Sequence, residues 1–262
     1  MNSSKRAKQL VRKFLAQLMA VIQVSIAKIV YAGSKRYCPV CENHVRKFLP
    51  FGDPPRSQAR CPICKSLERH RLDWLFFARK TDLFDGKPKN MLHAAPEACL
   101  ETRFRRIKNL DYLTADLNNP RATVKMDITS IDYPDNTFSV IYCSHVLEHV
   151  PDDHKAIAEL YRVLKPDGWA VLQVPITSEI TYEDPAITEP EERKKYFGQW
   201  DHVRRCGPDY IERMRSAGFF AECLYATDVL EELNCIKMGI HKEQPIFFCR
   251  KQSPNTQRNS NG

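Results

Sequence analysis

With 262 residues, 43% of them hydrophobic and 27% charged, the chain can bury a full α/β core and still has room for one small extra module. Ten cysteines, four in two C-x-x-C pairs and six scattered, exclude a small secreted disulfide framework and favour a reducing compartment, with the cytoplasm expected. The net charge of +8 is local: eight of the 40 basic residues fall within the first 36 positions, with no acid before Glu42, which suggests an anionic partner surface, either lipid headgroups or RNA.

Residues 1–35 read as a basic amphipathic helix. Val11, Leu15, Leu18, Ile22, Ile26 and Ile29 share one helical stripe, with Lys13, Gln17 and Lys28 elsewhere. Gln17, Gln23, Ser25 and Lys28 interrupt the apolar run from Phe14 to Ala32, which counts against a spanning helix. Three readings stand. The stripe packs on its own domain or on a second subunit; or residues 1–33 lie peripherally on the inner face of a membrane; or the segment is a signal peptide. Lys28 opposes the last, although Val30-Tyr31-Ala32 resembles a cleavage site.

Residues 36–66 hold Cys38-Pro-Val-Cys41 and Cys61-Pro-Ile-Cys64, with 19 residues between the pairs. Spacing and proline placement resemble a zinc ribbon, in which four thiolates close a tetrahedral structural zinc site with no open position. A redox dithiol is the alternative. Arg46, Lys47, Arg56 and Arg60, with Phe48 and Phe51, offer either a nucleic-acid surface or the module's own small core. Residues 67–87 form a linking segment: Ser66 to Phe84 predicts a helix with Leu72, Leu75 and Phe76 inward, and Asp85-Gly-Lys-Pro88 breaks the chain.

From 88 to 251 strands and helices alternate. Asn90 to Ala95, Asp111 to Asp116, Val124 to Ile128 and Phe138 to Cys143 read as strands, the last followed by a polar loop from Ser144 to Pro151. His154 to Leu164 sets Ile157, Leu160, Tyr161 and Leu164 on one helical face; Lys165-Pro-Asp-Gly168 stops it, and Trp169 to Val174 returns as a strand. Strand, crossover helix and strand of this length make a right-handed βαβ unit of a parallel sheet. The phrase HVLEHVPDDHKAIAELYRVLKPDGWAVLQVP, His145 to Pro175, closely resembles the fourth strand, helix and fifth strand of class I S-adenosylmethionine (SAM)-dependent methyltransferases, nearest the type 11 group. With its flanks the likeness covers about Pro88 to Lys251. It implies an α/β, Rossmann-like seven-stranded class I methyltransferase sheet, preceded here by the zinc ribbon and the amino-terminal amphipathic helix. It also implies a transferase of class EC 2.1.1.- that uses SAM.

The same resemblance assigns the cofactor positions. The family's first strand is followed by an acidic, glycine-rich loop beneath the methionine moiety; here that loop reads His93-Ala94-Ala95-Pro96-Glu97, with no glycine. Either His93, Ala95 and Glu97 form a variant site, with Glu97 facing the ligand's ammonium, or the site no longer binds SAM. Asp116 matches the acid that accepts the ribose hydroxyls, Asp127 and Ile128 match the adenine-side positions, and Cys143 and Ser144 match the end of the fourth strand that lines the cofactor. On residue type alone, Asp116 and Asp127 read equally well as turn-forming or capping acids.

Ile176 to Pro208 is a long polar insertion containing Phe197-Gly-Gln-Trp-Asp-His-Val-Arg204, a length typical of a lid or acceptor-binding element. Methyl transfer needs alignment and the removal of one proton, for which His202, His145 and His149 are the candidates; solvated or capping histidines are the alternative. Gly207 to Gly218 resembles the next family helix, Phe219 to Ala226 and Pro245 to Lys251 an antiparallel closing pair, and 252–262 a disordered tail. From Thr81 onward 23 basic residues face 28 acidic ones, a poor surface for a polyanion. A small-molecule or glycan-type acceptor, methylated on O or N, is therefore expected. The first 80 residues, with 17 basic and four acidic, keep open an RNA methyltransferase. The glycine-free loop keeps open a non-catalytic scaffold on a decayed methyltransferase fold.

Overall fold

The structure, a computed structural model, describes residues 3–252, and the tail expected to be disordered lies almost wholly outside them. The chain divides into two compact units, one comprising Met1–Lys80 and Ala226–Gln244, the other Thr81–Tyr225 and Pro245–Gly262.

In the first unit, helix α1 (Ser3–Val30) is followed by two hairpins: β1 (Arg36–Cys38) with β2 (Asn43–Val45), and β3 (Leu49–Phe51) with β4 (Arg56–Arg60). Helix α2 (Glu68–Lys80) is shorter than the Ser66 to Phe84 span the sequence suggests; Leu72, Leu75 and Phe76 are buried as expected, and so are Arg71 and Asp73. Two short helices, Ala226–Val229 and Glu232–Met238, complete the unit from far along the chain. The apolar stripe of α1 is not packed on its own domain. It is solvent-facing throughout, from 40% exposure at Ile22 to 78% at Ile29. No described helix is long and apolar enough to cross a membrane. Phe48 is core and Phe51 exposed, and Arg56 pairs with Glu68 at 3.1 Å, so the basic–aromatic set is divided between packing and surface.

The second unit is built on a seven-stranded mixed sheet. Its strands are β5 (Lys89–Ala94), β6 (Leu110–Asp116), β7 (Val124–Lys125), β8 (Phe138–Ser144), β9 (Leu164–Gln173), β12 (Phe220–Tyr225) and β13 (Pro245–Arg250), in the order β12-β13-β9-β8-β5-β6-β7. Helices α3 (Ala98–Phe104) and α4 (Asp153–Val163) connect β5 to β6 and β8 to β9. The neighbours from β9 to β7 are parallel, and β13 runs antiparallel to both β9 and β12. This is the α/β sheet of class I methyltransferases that the sequence implies. Central β8 is buried at every residue but Ser139, which is why it reads as a continuous apolar run rather than an alternating one. Val124 to Ile128 gives only a two-residue strand, Val124–Lys125, whose last ladder bond is Met126 N to Asp116 O at 3.2 Å. β9 begins at Leu164, immediately after α4: the Lys165 to Gly168 turn is accommodated as an irregularity between two paired stretches, not as a separate loop.

The Ile176 to Pro208 insertion holds β10 (Tyr182–Glu183), α5 (Pro190–Phe197) and β11 (Arg204–Arg205), with β10 and β11 paired antiparallel. The expected next helix is a 3₁₀ turn, Pro208–Tyr210, running into α6 (Ile211–Ser216). The following turn requires Gly218: its φ is +105°, and a Cβ there would lie 2.9 Å from the Tyr161 ring.

Candidate active site

In an open parallel sheet, ligands bind beyond the carboxyl ends of the strands where the strand order reverses. Here that place is the gap between the loops leaving β5 and β8, adjacent parallel strands whose successors lie on opposite sides. Both loops start in the left-handed region without glycine: Ala95 has φ +49° and His145 φ +56°. Each is pinned, Ala95 N donating to Ala115 O at 2.8 Å and His145 N to Gln173 O at 2.9 Å. Alanine thus takes the turn that the missing glycine would have allowed, at a conformational cost typical of functional sites.

His93 and Cys143 do not line this space. His93 is fully buried, ringed by Phe104, Tyr112 and Tyr142. Its Nδ1 lies 2.7 Å from Tyr112 Oη and its Nε2 2.9 Å from Glu97 Oε2. Burial first, and the nearby Glu101 second, push the Tyr112 hydroxyl well above its usual range, so it stays protonated. It donates to Nδ1, and His93 in turn donates through Nε2 to Glu97. The His93 side chain is therefore a support that orients Glu97 from behind. Cys143 belongs to the hydrophobic core, its thiol kept protonated by burial, and only its backbone is available to a ligand.

The remaining cofactor candidates differ in what they leave free. Asp116 Oδ1 accepts from Asn118 N at 2.8 Å and Asn119 N at 2.7 Å, the turn-forming role its position allows, while Oδ2 is left for another donor. Asp127 Oδ1 accepts from Thr129 N and Thr129 Oγ1, which hold its carboxyl below the ordinary range. Ile128 is buried. Ser144 ends β8 with a buried Oγ that has no hydrogen-bond partner. An orphaned hydroxyl, a half-satisfied carboxylate and a tight turn at one sheet edge fit a polar, hydroxyl-bearing ligand such as SAM.

The three candidate bases converge. In the 3₁₀ turn Leu147–His149, Glu148 is 1% exposed. Its Oε1 lies 3.3 Å from His145 Nδ1 and 4.0 Å from His149 Nε2. His149 Nδ1 is 3.3 Å from Asp201 Oδ2, and the His149 and His202 rings meet edge to face at 4.7 Å. His202 is buried, with Nδ1 3.3 Å from Phe197 O. Burial holds it below its ordinary pKa and therefore neutral. Sequence adjacency did not make Asp201 the partner of His202; it faces His149 instead.

Arg204 fixes this arrangement. It is 2% exposed, and its Nη1 donates to Leu147 O and Val150 O, its Nη2 to Pro151 O and its Nε to Glu183 Oε2. Val203 N donates to Glu148 O at 2.9 Å. Glu148 and Arg204 were not singled out in the sequence. Glu148 stands between two histidines in the motif, and Arg204 closes the FGQWDHVR phrase, but burial is what distinguishes both.

In the first unit the four cysteines gather as expected. Cys38 Sγ and Cys64 Sγ are 3.6 Å apart, Cys41 Sγ and Cys61 Sγ 3.9 Å, and Ser66 Oγ lies 3.2 Å from both Cys38 and Cys64. A zinc ion with Zn–S bonds near 2.3 Å spaces its sulfurs about 3.8 Å apart in a tetrahedron, close to both of these separations, and all four sulfurs lie within 4.8 Å of one another, so the cluster could hold zinc.

Comparison with known proteins agrees with the fold. Residues 96–172 match a family described as a methyltransferase domain. The uncharacterized methyltransferase YcgJ of Bacillus subtilis is 32% identical over 92 residues, 35% of this chain and 35% of that protein. The ubiquinone/menaquinone biosynthesis C-methyltransferase UbiE of Hydrogenovibrio crunogenus is 49% identical over 96 residues, 36% of this chain and 34% of that protein. The chain thus spans about a third of the length of these relatives. Among solved structures, the 1,6-didemethyltoxoflavin-N1-methyltransferase of Burkholderia thailandensis is 18% identical, covering 66% of this chain and 75% of that one with a TM-score of 0.45. Residues 96–172 are thus similar to a methyltransferase domain, within a sheet of the class I methyltransferase type.

Proposed function

We propose that this protein transfers a methyl group from SAM to an oxygen or nitrogen of a small-molecule or glycan-type acceptor. The observation that carries the reading is the pair of pinned, left-handed loops at the β5–β8 switch point, set within a segment that matches the methyltransferase family. Asp116 would hold the ribose hydroxyls through Oδ2, Ser144 and the β8 backbone would line the cofactor, and Glu97, oriented by His93, would face the ammonium group. When bound, SAM supplies a methyl group on a strongly electrophilic sulfonium. The protein's own task is to align the acceptor, exclude water and take up a proton. Of the candidate bases, His202 is buried and neutral, and His145 and His149 lie on either side of Glu148.

The acceptor is assigned to the insertion because it leaves large apolar groups exposed: Trp200 is 63% exposed and Ile180 67%. A peripheral membrane role for residues 1–33 is supported by the exposed stripe of α1, and a cytoplasmic setting by the clustering of four cysteines as a thiol set suited to a metal.

Calorimetric titration with S-adenosylhomocysteine tests the enzyme reading. Micromolar-range binding is expected for the zinc-replete protein, weakened at least about tenfold in Asp116→Ala by loss of a charge-assisted hydrogen-bond pair. No heat and no thermal shift would leave a scaffold on a methyltransferase fold.

A further inference from the structure

Among the described residues, two groups of histidine, cysteine or acidic side chains bring potential ligand atoms close enough to share one ion: the cysteine quartet, and Glu148 with His149 and His202. The second lies apart from the cofactor edge and the cysteine module but includes two of the three candidate bases, so an ion held there leaves His145 as the base. Its ligand atoms all lie within 4.8 Å of one another. Two imidazoles and a carboxylate form a donor set suited to zinc and its first-row neighbours.

Each side chain carries a feature that suits this use. Glu148 is 1% exposed, and its Oε2 is buried with no hydrogen-bond partner, while Oε1 lies 3.3 Å from His145 Nδ1. A carboxylate oxygen buried in this state is costly unless something positive comes to it. His202 has Nδ1 engaged at Phe197 O, and His149 has Nδ1 engaged at Asp201 Oδ2. In both rings the Nε2 lone pair is therefore left available, the arrangement by which an outer carboxylate or carbonyl fixes the tautomer of a metal-bound histidine. The backbone beneath is held by Val203 N on Glu148 O and by Arg204 on Leu147 O and Val150 O. A zinc ion with bonds near 2.0–2.1 Å spaces its donors about 3.4 Å apart. The donors, within 4.8 Å of one another, must therefore draw closer on binding, and His149, whose side chain is 33% exposed, is the member with room to move.

We infer that Glu148, His149 and His202 bind a divalent first-row metal ion, with Asp201 orienting His149. Three protein ligands leave a coordination position open to an outside oxygen or nitrogen, unlike the closed cysteine site. The site rests on this geometry alone and not on methyl transfer, whose test with S-adenosylhomocysteine has its own readout.

The experiment is a metal count by mass spectrometry on full-length protein dialysed after loading with zinc, beside a calorimetric zinc titration. Two ions per chain are expected for the unaltered protein and one for His149→Ala and Glu148→Gln. His149 is the safer variant to fold, and far-UV circular dichroism confirms that both do. Asp201→Asn should weaken the second site roughly 10–100-fold by loosening His149. His154→Ala, at an exposed histidine nearby in sequence, should keep two ions. A single ion in the unaltered protein would overturn the inference. So would a second ion that survives in folded His149→Ala and Glu148→Gln, or that disappears with His154.

Discussion

Ala95 shows how a residue-scale reading can be right about composition and incomplete about conformation. The sequence displays a first loop without glycine; it does not display that alanine adopts φ +49° there, held by Ala115 O. A left-handed alanine costs roughly 1–2 kcal/mol against the right-handed or extended forms, and glycine lacks that penalty but loses more chain entropy on folding. Ala95→Gly is therefore expected to leave stability unchanged or raise it by up to about 1 kcal/mol. Ala95→Val, β-branched at the same φ, should lose about 1–3 kcal/mol. Urea denaturation of the three proteins checks this; a loss exceeding about 1 kcal/mol in Ala95→Gly would show that the Cβ, not the backbone turn, holds the loop. His93 teaches a related lesson. Its place in the motif put it at the cofactor, but its position on β5 points it into the core, and only the hydrogen bond to Glu97 connects it to the site.

At the scale of elements, legibility followed burial. β5, β8 and β9 are central strands covered on both faces, so their apolar runs were readable, as was the amphipathic α4 between two of them. β10 and β11, two residues each, carry no pattern of their own and exist because Arg204 and Arg213 tie the insertion down. Arg213 reaches Asp153 at 2.8 Å and Glu183 at 2.8 Å, and Arg204 reaches the same two acids and three carbonyls of the loop after β8. Removing the guanidinium leaves those carbonyls and part of Asp153 without donors in a buried place. Arg204→Met is expected to cost about 3 kcal/mol, and Arg204→Lys to rescue little, because an ammonium cannot reproduce the fork. Limited proteolysis should then cut within 176–208 first; unchanged protection there would refute the tether. Acid should act on the same link. Burial raises the Glu183 carboxyl, but Arg213 and Arg204 outweigh it and hold it below its ordinary value. Its contribution is complete above the ordinary carboxylate range and is lost as pH falls through the depressed one. Glu183→Gln should accordingly flatten the acid limb of the 176–208 proteolysis profile.

At the scale of the whole molecule, the segment from Ala226 to Gln244 is the part that no local pattern could place. Its helices have four and seven residues, too short for periodicity to speak, and their partners lie far back in the chain. Arg71 makes the connection. Fully buried on α2, it donates to Met238 O, Gly239 O, Ala59 O and Ser66 O, and its guanidinium lies 4.2 Å from the Phe48 ring centroid. Gly239 fits against Phe48 with φ +59°, where a Cβ would come within 2.7 Å of the ring. One side chain thus joins the cysteine-bearing hairpins to a stretch 167 residues later. Because a structural four-thiolate site supplies folding free energy directly, loss of the ion should travel along this connection. Chelation, or Cys38→Ser with Cys61→Ser, is expected to raise amide exchange by roughly a hundredfold in residues 36–67 and also in Glu232–Met238, while β5 and β8 keep their protection. Arg71→Met should reproduce the second effect with the ion still bound, at a cost of about 3 kcal/mol from four carbonyls left without a donor. If Glu232–Met238 stays protected when the cysteine site is emptied, the hairpins and the distant segment fold independently and Arg71 is only a local filler. If the two open together, an element that looks like a late insertion in the sheet-bearing unit is a structural part of the four-cysteine module.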